Sequence, residues 1–250
     1  MEPAFSPTPD VVVLPSYEPV PGVGVLPVQA FLLRGTSPVL VDTGLAREAD
    51  AFIDALDLLV DVSRLSCILL THEDADHAGA LFPLLERAPH ARLVTTPVGF
   101  GKLGSVQHLD PTRVRFVGPG ARFEAGGRTF RALRPPMYDS PATLAFFEER
   151  QRWLFASDGF GAFVPELTER GEDVPLEAGL EGMSAFCRAN SPWLMDVDPA
   201  LYAEAVGTFR RLDADWIFAS HLPPIRKAAF EPYLERAARL PKEGQLPLAV

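Results

Sequence analysis

The chain has 250 residues, 47% of them hydrophobic, enough for one large α/β domain with a substantial core. Its formal net charge of −10 and pI near 5.0 exclude nucleic acid as the main partner, because phosphate binding needs a basic face. No stretch approaches the ~18 consecutive apolar residues of a membrane span, and residues 1–5 have neither a basic nor an apolar signal region, so the expectation is a cytoplasmic protein with no membrane partner.

Residues 1–10 are proline-rich and read as loosely held. Residues 30–33 and 39–42 are strand-like, with a turn at 34–38, and Asp42-Thr43-Gly44 ends the second strand. Apolar spacing over 46–60 suits a helix. Residues 65–70 read as a buried strand that includes Cys67, with Thr71 at its carboxyl end. A helix at 78–86 and a short strand at 92–95 follow. The middle reads as successive strands at 114–117, 128–133, 143–147 and 153–156. Helices are expected at 176–189, containing Cys187, and at 199–211. A strand at 216–219 delivers Ser220 and His221 into the proline-rich turn Leu222-Pro223-Pro224, and a last helix covers 228–239. No repeat or low-complexity linker divides the chain. The expected organisation is one domain over 1–250, with 227–250 as C-terminal helix and tail. Strand–helix–strand halves around a β-rich centre fit an α/β sandwich of two sheets with helices outside. The two isolated cysteines are expected to be free thiols.

Seven residues carry the chemistry: His72, Asp74, Asp76, His77, Asp139, Asp158 and His221. Four fall in the run Thr71-His72-Glu73-Asp74-Ala75-Asp76-His77, a loop between a strand end and a helix, where α/β folds place reactive groups. Wrapped around a point, positions 72, 74, 76 and 77 converge while Glu73 and Ala75 face away. The bland alternative is an acidic loop in which Asp74 or Asp76 caps the next helix. Asp158 ends an apolar strand, where a carboxylate can bridge two cations, and His221 has the same setting. His90 and His108 sit in turns and read as hydrogen-bonded structural residues rather than ligands. All seven are imidazoles or carboxylates and none is a thiolate. Such a set suits two borderline-to-hard ions sharing one site and disfavours zinc as the default.

With these motifs in hand, the chain resembles the metallo-β-lactamase fold over residues 30–226, which implies a four-layer αβ/βα sandwich of two mixed sheets flanked by helices. The markers are Val41-Asp42-Thr43-Gly44, the 71–77 loop, Phe155-Ala156-Ser157-Asp158 and Ser220-His221. Within that superfamily it is most similar to the catalytic domain of flavodiiron proteins. Asp74 is acidic where that branch usually has Glu and zinc hydrolases have His. Pro136-Met137-Tyr138-Asp139-Ser140-Pro141 resembles the branch's Pro-Met-x-His-x-Pro segment, and Leu154-Phe155-Ala156-Ser157-Asp158-Gly159-Phe160-Gly161 its Leu-Phe-Ser-x-Asp-x-Phe-Gly. The resemblance implies that His72, Asp74, Asp139 and Asp158 hold one ion. Asp76, His77, His221 and the same Asp158 would hold the other. Two departures stand out. Asp74 is one methylene short of the usual Glu, and Asp139 replaces the usual His. Asp74, Asp76, Asp139 and Asp158 then give −4 against +4 from two divalent ions, a sum of 0. That favours hard ions, iron first, with manganese or zinc as substitutes.

The function this implies is a dinuclear, non-haem iron protein that reduces or senses dioxygen or a similar small oxidant. Asp158 bridges and Asp76 acts beside it. Only 29 residues follow His221, too few for a flavodoxin-like domain, so no bound flavin is expected and electrons come from a separate donor protein. Family members dimerise, which makes a homodimer the corresponding expectation. Two other classes compete. One is a hydrolase of an ester, lactone, thioester or phosphoester, with a bridging hydroxide as nucleophile. The other is a binding module whose site has decayed. The substrate pocket is expected between loops at 98–110 and 160–195. Phe160, Phe163, Phe186 and Trp193 form either an apolar mouth or ordinary core.

Overall fold

Unbroken apolar runs build the central strands of two sheets, which are buried on both faces. The structure is a computed structural model describing residues 1–242, so the end of the tail expected at 227–250 lies outside the described residues. Among the described residues the first sheet runs in the order β1 (Phe5–Thr8), β2 (Val11–Val20), β3 (Gly24–Leu33), β4 (Val39–Val41), β5 (Cys67–Leu69), β6 (Arg92–Thr95) and β7 (Val114–Phe116). The second sheet contains β8 (Arg122–Ala125), β9 (Arg128–Leu133), β10 (Ala145–Glu148), β11 (Trp153–Ser157), β12 (Trp216–Ala219) and β13 (Leu222–Arg226), ordered from β13 to β8. Strands β4 to β7 are parallel, as are β11 and β12. Both sheets are therefore mixed.

Three cores stack through the molecule. Ile68, Leu70 and Leu93 face α1 (Ala49–Asp57), α2 (Leu81–Arg87) and α3 (Pro97–Val106), meeting Phe52, Leu84 and Leu103. Leu69, Val94, Phe155 and Phe218 point into the space between the sheets. There Phe31, Phe155 and Phe218 lie 5.2–5.6 Å apart between ring centroids, each pair adding about 0.5–1.5 kcal/mol beyond its buried area. Leu154, Ala156 and Ile217 face α4 (Leu176–Asn190), α5 (Pro199–Leu212) and α6 (Lys227–Ala237). The result is the expected four-layer sandwich.

Several elements differ from the sequence reading. Residues 5–8, expected to be loose, pair with β2 as β1, and the Glu2 N–H donates to the Pro15 carbonyl at 2.9 Å. Strands β2 and β3 form a long hairpin, of which 30–33 is only one end. Pro15, Pro19 and Pro27 disguised it. They are tolerated because β1 reaches only the start of β2 and β4 pairs only with Phe31 to Leu33, so each proline has a side without a ladder. The expected loop at 98–110 is mostly α3, whose start carries readable signals. Thr96 accepts a hydrogen bond from the Gly99 N–H at 3.0 Å, and Pro97 opens the first turn. The expected turn at 222–224 opens the edge strand β13, and β8 pairs with β9 through Gly126-Gly127. Cys67, expected to be buried, is partly exposed; both cysteines are free thiols.

Helix α4 packs unusually close to the segment after β11. A Cβ at Gly182 would lie 1.8 Å from the Phe163 carbonyl oxygen, so only glycine fits without moving backbone. Gly101, on α3, has nothing within 4 Å of its virtual Cβ. Gly182→Ala should cost about 2–3 kcal/mol and lower the melting temperature by roughly 5–10 °C. Gly101→Ala should leave stability unchanged or raise it by about 0.5–1 kcal/mol. Thermal melts of the two variants compare these directly.

Candidate metal centre

The carboxyl ends of β4, β5, β11 and β12 meet at one rim of the sandwich. Three cross-links set their relative height. The Leu144 N–H donates to the Thr71 carbonyl at 2.8 Å, the Ser220 N–H to the Ser157 carbonyl at 2.9 Å, and the Gln29 N–H to the Ser220 carbonyl at 3.0 Å. Asp42 and Ser157 both sit at positive φ, 58° and 56°, a costly conformation that bends each strand end sharply into its loop.

The structure brings all seven sequence-identified residues together. His72 Nε2 lies 3.8 Å from Asp74 Oδ2, from Asp139 Oδ1 and from Asp158 Oδ2. On the other side, His77 Nε2 is 3.0 Å from Asp158 Oδ1 and 3.8 Å from Asp76 Oδ2. His221 Nε2 is 3.5 Å and 3.6 Å from the same two oxygens. The donors thus sort onto the two oxygens of Asp158. Three overlapping groups have mutually close ligand atoms: His72–His77–Asp158, Asp76–His77–His221 and His72–Asp74–Asp139.

These separations fit a shared ion better than hydrogen bonding. Two donor atoms each about 2.1 Å from one ion stand about 3–3.8 Å apart. His72 Nε2 is fully buried with no hydrogen-bond partner, and Asp158 Oδ1 is buried against imidazole nitrogens alone, a condition that a cation relieves. The capping alternative fails, because the residue preceding α2 is Ala80 and no side chain caps that helix.

Each imidazole is oriented from behind. His221 Nδ1 lies 2.7 Å from the Pro27 carbonyl, which can only accept, so the proton sits on Nδ1 and Nε2 offers a lone pair. His77 Nδ1 lies 2.9 Å from Asp42 Oδ2 and is fixed in the same way. His72 Nδ1 has the Thr71 and Ser157 hydroxyls, each at 3.3 Å. Such outer partners are what metal-binding histidines usually require.

Sequence reasoning missed three contributors. Asp42 was visible only as part of a strand-end motif. Asn190, the last residue of α4, donates from Nδ2 to Asp158 Oδ2 at 2.9 Å, and nothing in the sequence connects the two. Glu73, expected to face away, has a largely buried side chain joined to Lys102 and Ser140. The four candidate mouth residues separate. Phe160 is core, packed on Phe209 and Phe230. Phe186 lies 5.2 Å from the His221 ring, with Phe163 edge-on behind it. Trp193 packs on Tyr138, the neighbour of Asp139. The solvent side is formed by Asp74 and Asp76, whose side chains are 47% and 29% exposed. Asp139 is exposed mainly through its backbone, its side chain being 21% exposed.

Electrostatics in the bare site is a contest between burial and charge. Burial pushes the Asp158 carboxyl up, but His72 and His77 outweigh it and hold it well below the usual range. Burial pushes the His77 imidazole down, but Asp76, Asp42 and Asp158 raise it well above the ordinary value. His221 is also raised, by Asp158 and Asp76 against burial. Asp139 is raised, by burial first and then by Asp158 and Asp74. Histidines with raised folded-state pKa stabilise the fold fully below about pH 6.5 and lose that contribution as pH climbs toward the folded value. Chelator-stripped protein should therefore lose at least about 1 kcal/mol of stability between pH ~6.5 and ~8. Metal loading should flatten this slope, since bound ions replace the imidazole protons. Denaturant melts at both pH values, with and without metal, make the comparison. An equal slope in both states would disprove it.

A family model for the metallo-β-lactamase superfamily matches residues 23–221. Diflavin flavoprotein A 1 of Thermosynechococcus vestitus is 32% identical over 134 residues, 53% of this chain and 23% of that protein. The anaerobic nitric oxide reductase flavorubredoxin of Vibrio vulnificus is 26% identical over 133 residues, 53% of this chain and 27% of that protein. The chain thus spans about a quarter of the length of these curated relatives. The crystal structure of the flavodiiron protein from Giardia intestinalis superposes with a TM-score of 0.81, covering 97% of this chain and 60% of that one, at 14% identity, a likeness of fold. The family match begins at the β2–β3 hairpin and ends on His221, the last of the seven clustered residues, and the two-sheet sandwich agrees with it: the chain belongs to the metallo-β-lactamase superfamily.

Proposed function

We propose that this chain is the dinuclear, non-haem metal core of an oxidoreductase. Iron is the favoured ion, and the substrate is dioxygen or a similar small oxidant such as nitric oxide. Electrons arrive from a donor outside the described domain. One observation carries the reading: six imidazole and carboxylate donors, with no thiolate, divide between the two ends of a seventh, the buried Asp158 carboxylate. Curated relatives named as diflavin flavoproteins and a nitric oxide reductase support it. The two free thiols are in keeping with a cytoplasmic setting.

His72, Asp74, Asp139 and Asp158 would hold one ion, and Asp76, His77, His221 and Asp158 the other. When bound, such a pair supplies electrons to a small oxidant. The chain's own residues do the rest. Asn190 pins Asp158 Oδ2, so the central carboxylate keeps its orientation through a change in charge. Asp42 and Pro27 hold His77 and His221 with their Nε2 atoms inward. Phe186 covers one flank of His221 and keeps water from it. Asp74 and Asp76, on the exposed side, border the approach for a small molecule. The high share of carboxylate oxygen favours iron or manganese over softer ions.

Metal analysis and absorption spectra of protein made in iron-replete medium and purified without oxygen test this. Near two irons per chain, with a spectrum that changes on adding oxygen, is the expected result. Two zinc ions, no oxygen response and turnover of esters or phosphoesters would put a hydrolase in its place. Asp158→Ala should lose both ions while keeping the far-UV dichroism of the fold. Two metals per chain in that variant would remove Asp158 from the bridging role.

A further inference from the structure

Lys102, on α3, sits outside the donor set but touches both loops that supply its His72 end. Its Nζ donates to Glu73 Oε1 and, at 3.1 Å, to Ser140 Oγ. Ser140 Oγ in turn donates to Glu73 Oε1 at 2.9 Å and accepts from the Ala142 N–H at 3.2 Å. The three side chains close a ring. Glu73 lies between His72 and Asp74 in the chain, and Ser140 follows Asp139. Each loop is therefore gripped one residue from a site carboxylate.

The ring is not an ordinary surface ion pair. The Glu73 side chain is 8% exposed, and its Oε2 is buried without a partner. Removing the ammonium would strand a buried carboxylate. Arg134 also grips the 140–143 segment, through the carbonyls of Ser140, Pro141 and Thr143, but makes no bond to the 72–77 loop. Among the described residues Lys102 joins the two loops directly. It does so at the more negative end of the site, where Asp74, Asp139 and Asp158 surround one histidine. The opposite end sets Asp76 and Asp158 against two histidines.

We infer that Lys102 is a positioning residue for the His72–Asp74–Asp139 end. Its ammonium locks the two loops in register and offsets the carboxylate charge that crowds there. The inference rests on the dinuclear reading for its metal consequence, and on the ring alone for its mechanical one. An ion at this end needs the Asp74 and Asp139 carboxylates both held close to His72 Nε2 and to each other. Both residues reach it from exposed loops, so a tie behind them selects the binding geometry in advance.

The test uses the full chain with Lys102→Met, Lys102→Arg and Ser140→Ala. Metal per chain is measured after iron reconstitution, and amide hydrogen exchange is measured on the metal-free proteins. Lys102→Met should hold one iron where the parent holds two, keeping the ion at the Asp76–His77–His221 end. Peptides covering 72–77 and 137–143 should exchange together at least ~10-fold faster, with the sheets unchanged. Lys102→Arg, which keeps charge and donors, should regain the second ion. Ser140→Ala opens the ring without stranding Glu73 and should loosen the same two segments by less. Unchanged exchange in either segment of Lys102→Met overturns the inference whatever the metal count. So does retention of both ions at parental affinity. A parent protein that binds no metal would instead remove the dinuclear reading, and the exchange data would still decide whether Lys102 ties the loops.

Discussion

The carboxylate of Asp42 is where the two sheets and the metal loop are joined. Its Oδ1 accepts from the Thr71 N–H at 2.8 Å. Its Oδ2 accepts from the Thr71 hydroxyl at 2.8 Å, His77 Nδ1 at 2.9 Å and the Ser220 hydroxyl at 3.3 Å. One buried side chain at the end of β4 thus fixes the end of β5, the last residue of the metal loop and the strand end that presents His221. Apart from Asp42 and a few backbone cross-links such as Leu144 to Thr71 and Gln29 to Ser220, the sheets are held by apolar packing, which is indifferent to small sliding motions. Directional bonds to a buried charge are not. The backbone agrees with the side chain here. Thr43 donates to the His77 carbonyl at 2.6 Å, and Gly79 to Gly44 at 3.0 Å, so the 72–77 loop is laced along the strand end that Asp42 closes.

What the sequence disclosed follows from which signals are local. Strands β5, β11 and β12 were legible because helices cover one face of each sheet and the opposite sheet covers the other, leaving unbroken apolar runs. The seven site residues were legible because histidines and aspartates at the ends of such runs have no structural reason to be there. The β2–β3 hairpin was not, since Pro15, Pro19 and Pro27 read as breakers until the one-sided pairing is known. The supporting residues were illegible for a different reason. Asn190 at the end of a helix looks like any capping residue, and it matters only because the fold carries it to Asp158, 32 positions away. The Glu73–Ser140 contact spans 67 positions, so the loop sequence, which turns Glu73 away from the donor set, could not show what Glu73 turns toward.

The two ends of the site are built differently, and the difference has chemical meaning. At the His77–His221 end both imidazoles are buried and each has its tautomer set by an oxygen acceptor behind it. At the His72 end a single buried imidazole faces Asp74 and Asp139, which come from loops nearer the solvent. Preorganisation is therefore greatest at the first end, where an ion would replace protons on fixed side chains. At the second end the loops themselves must be held. In the family this chain resembles, Asp139 is a histidine, which carries its own ring as a packing wedge. An aspartate is smaller and charged, so both position and charge have to be supplied from elsewhere, and the Lys102 ring lies where both are needed.

That asymmetry also bears on how a charged site can exist in a marginally stable fold. Asp42, Ser157 and Phe160 all occupy the left-handed region, each at a cost of order 1–3 kcal/mol. Three separate hydrophobic cores offset that strain, and none of them includes a site residue. Without metal the carboxylates and imidazoles neutralise one another: His77 and His221 hold protons more tightly, and Asp158 less so. The bare site is an ion-pair cluster rather than a collection of unpaired charges. Cations held there would displace protons from groups already in place, and the scaffold would need no refolding around them. Replacing one histidine by aspartate weakens that internal balance, because it removes a group that can become cationic and adds a negative charge together. The change is tolerable only at the end where solvent and a lysine can share the excess, which is where Asp139 lies.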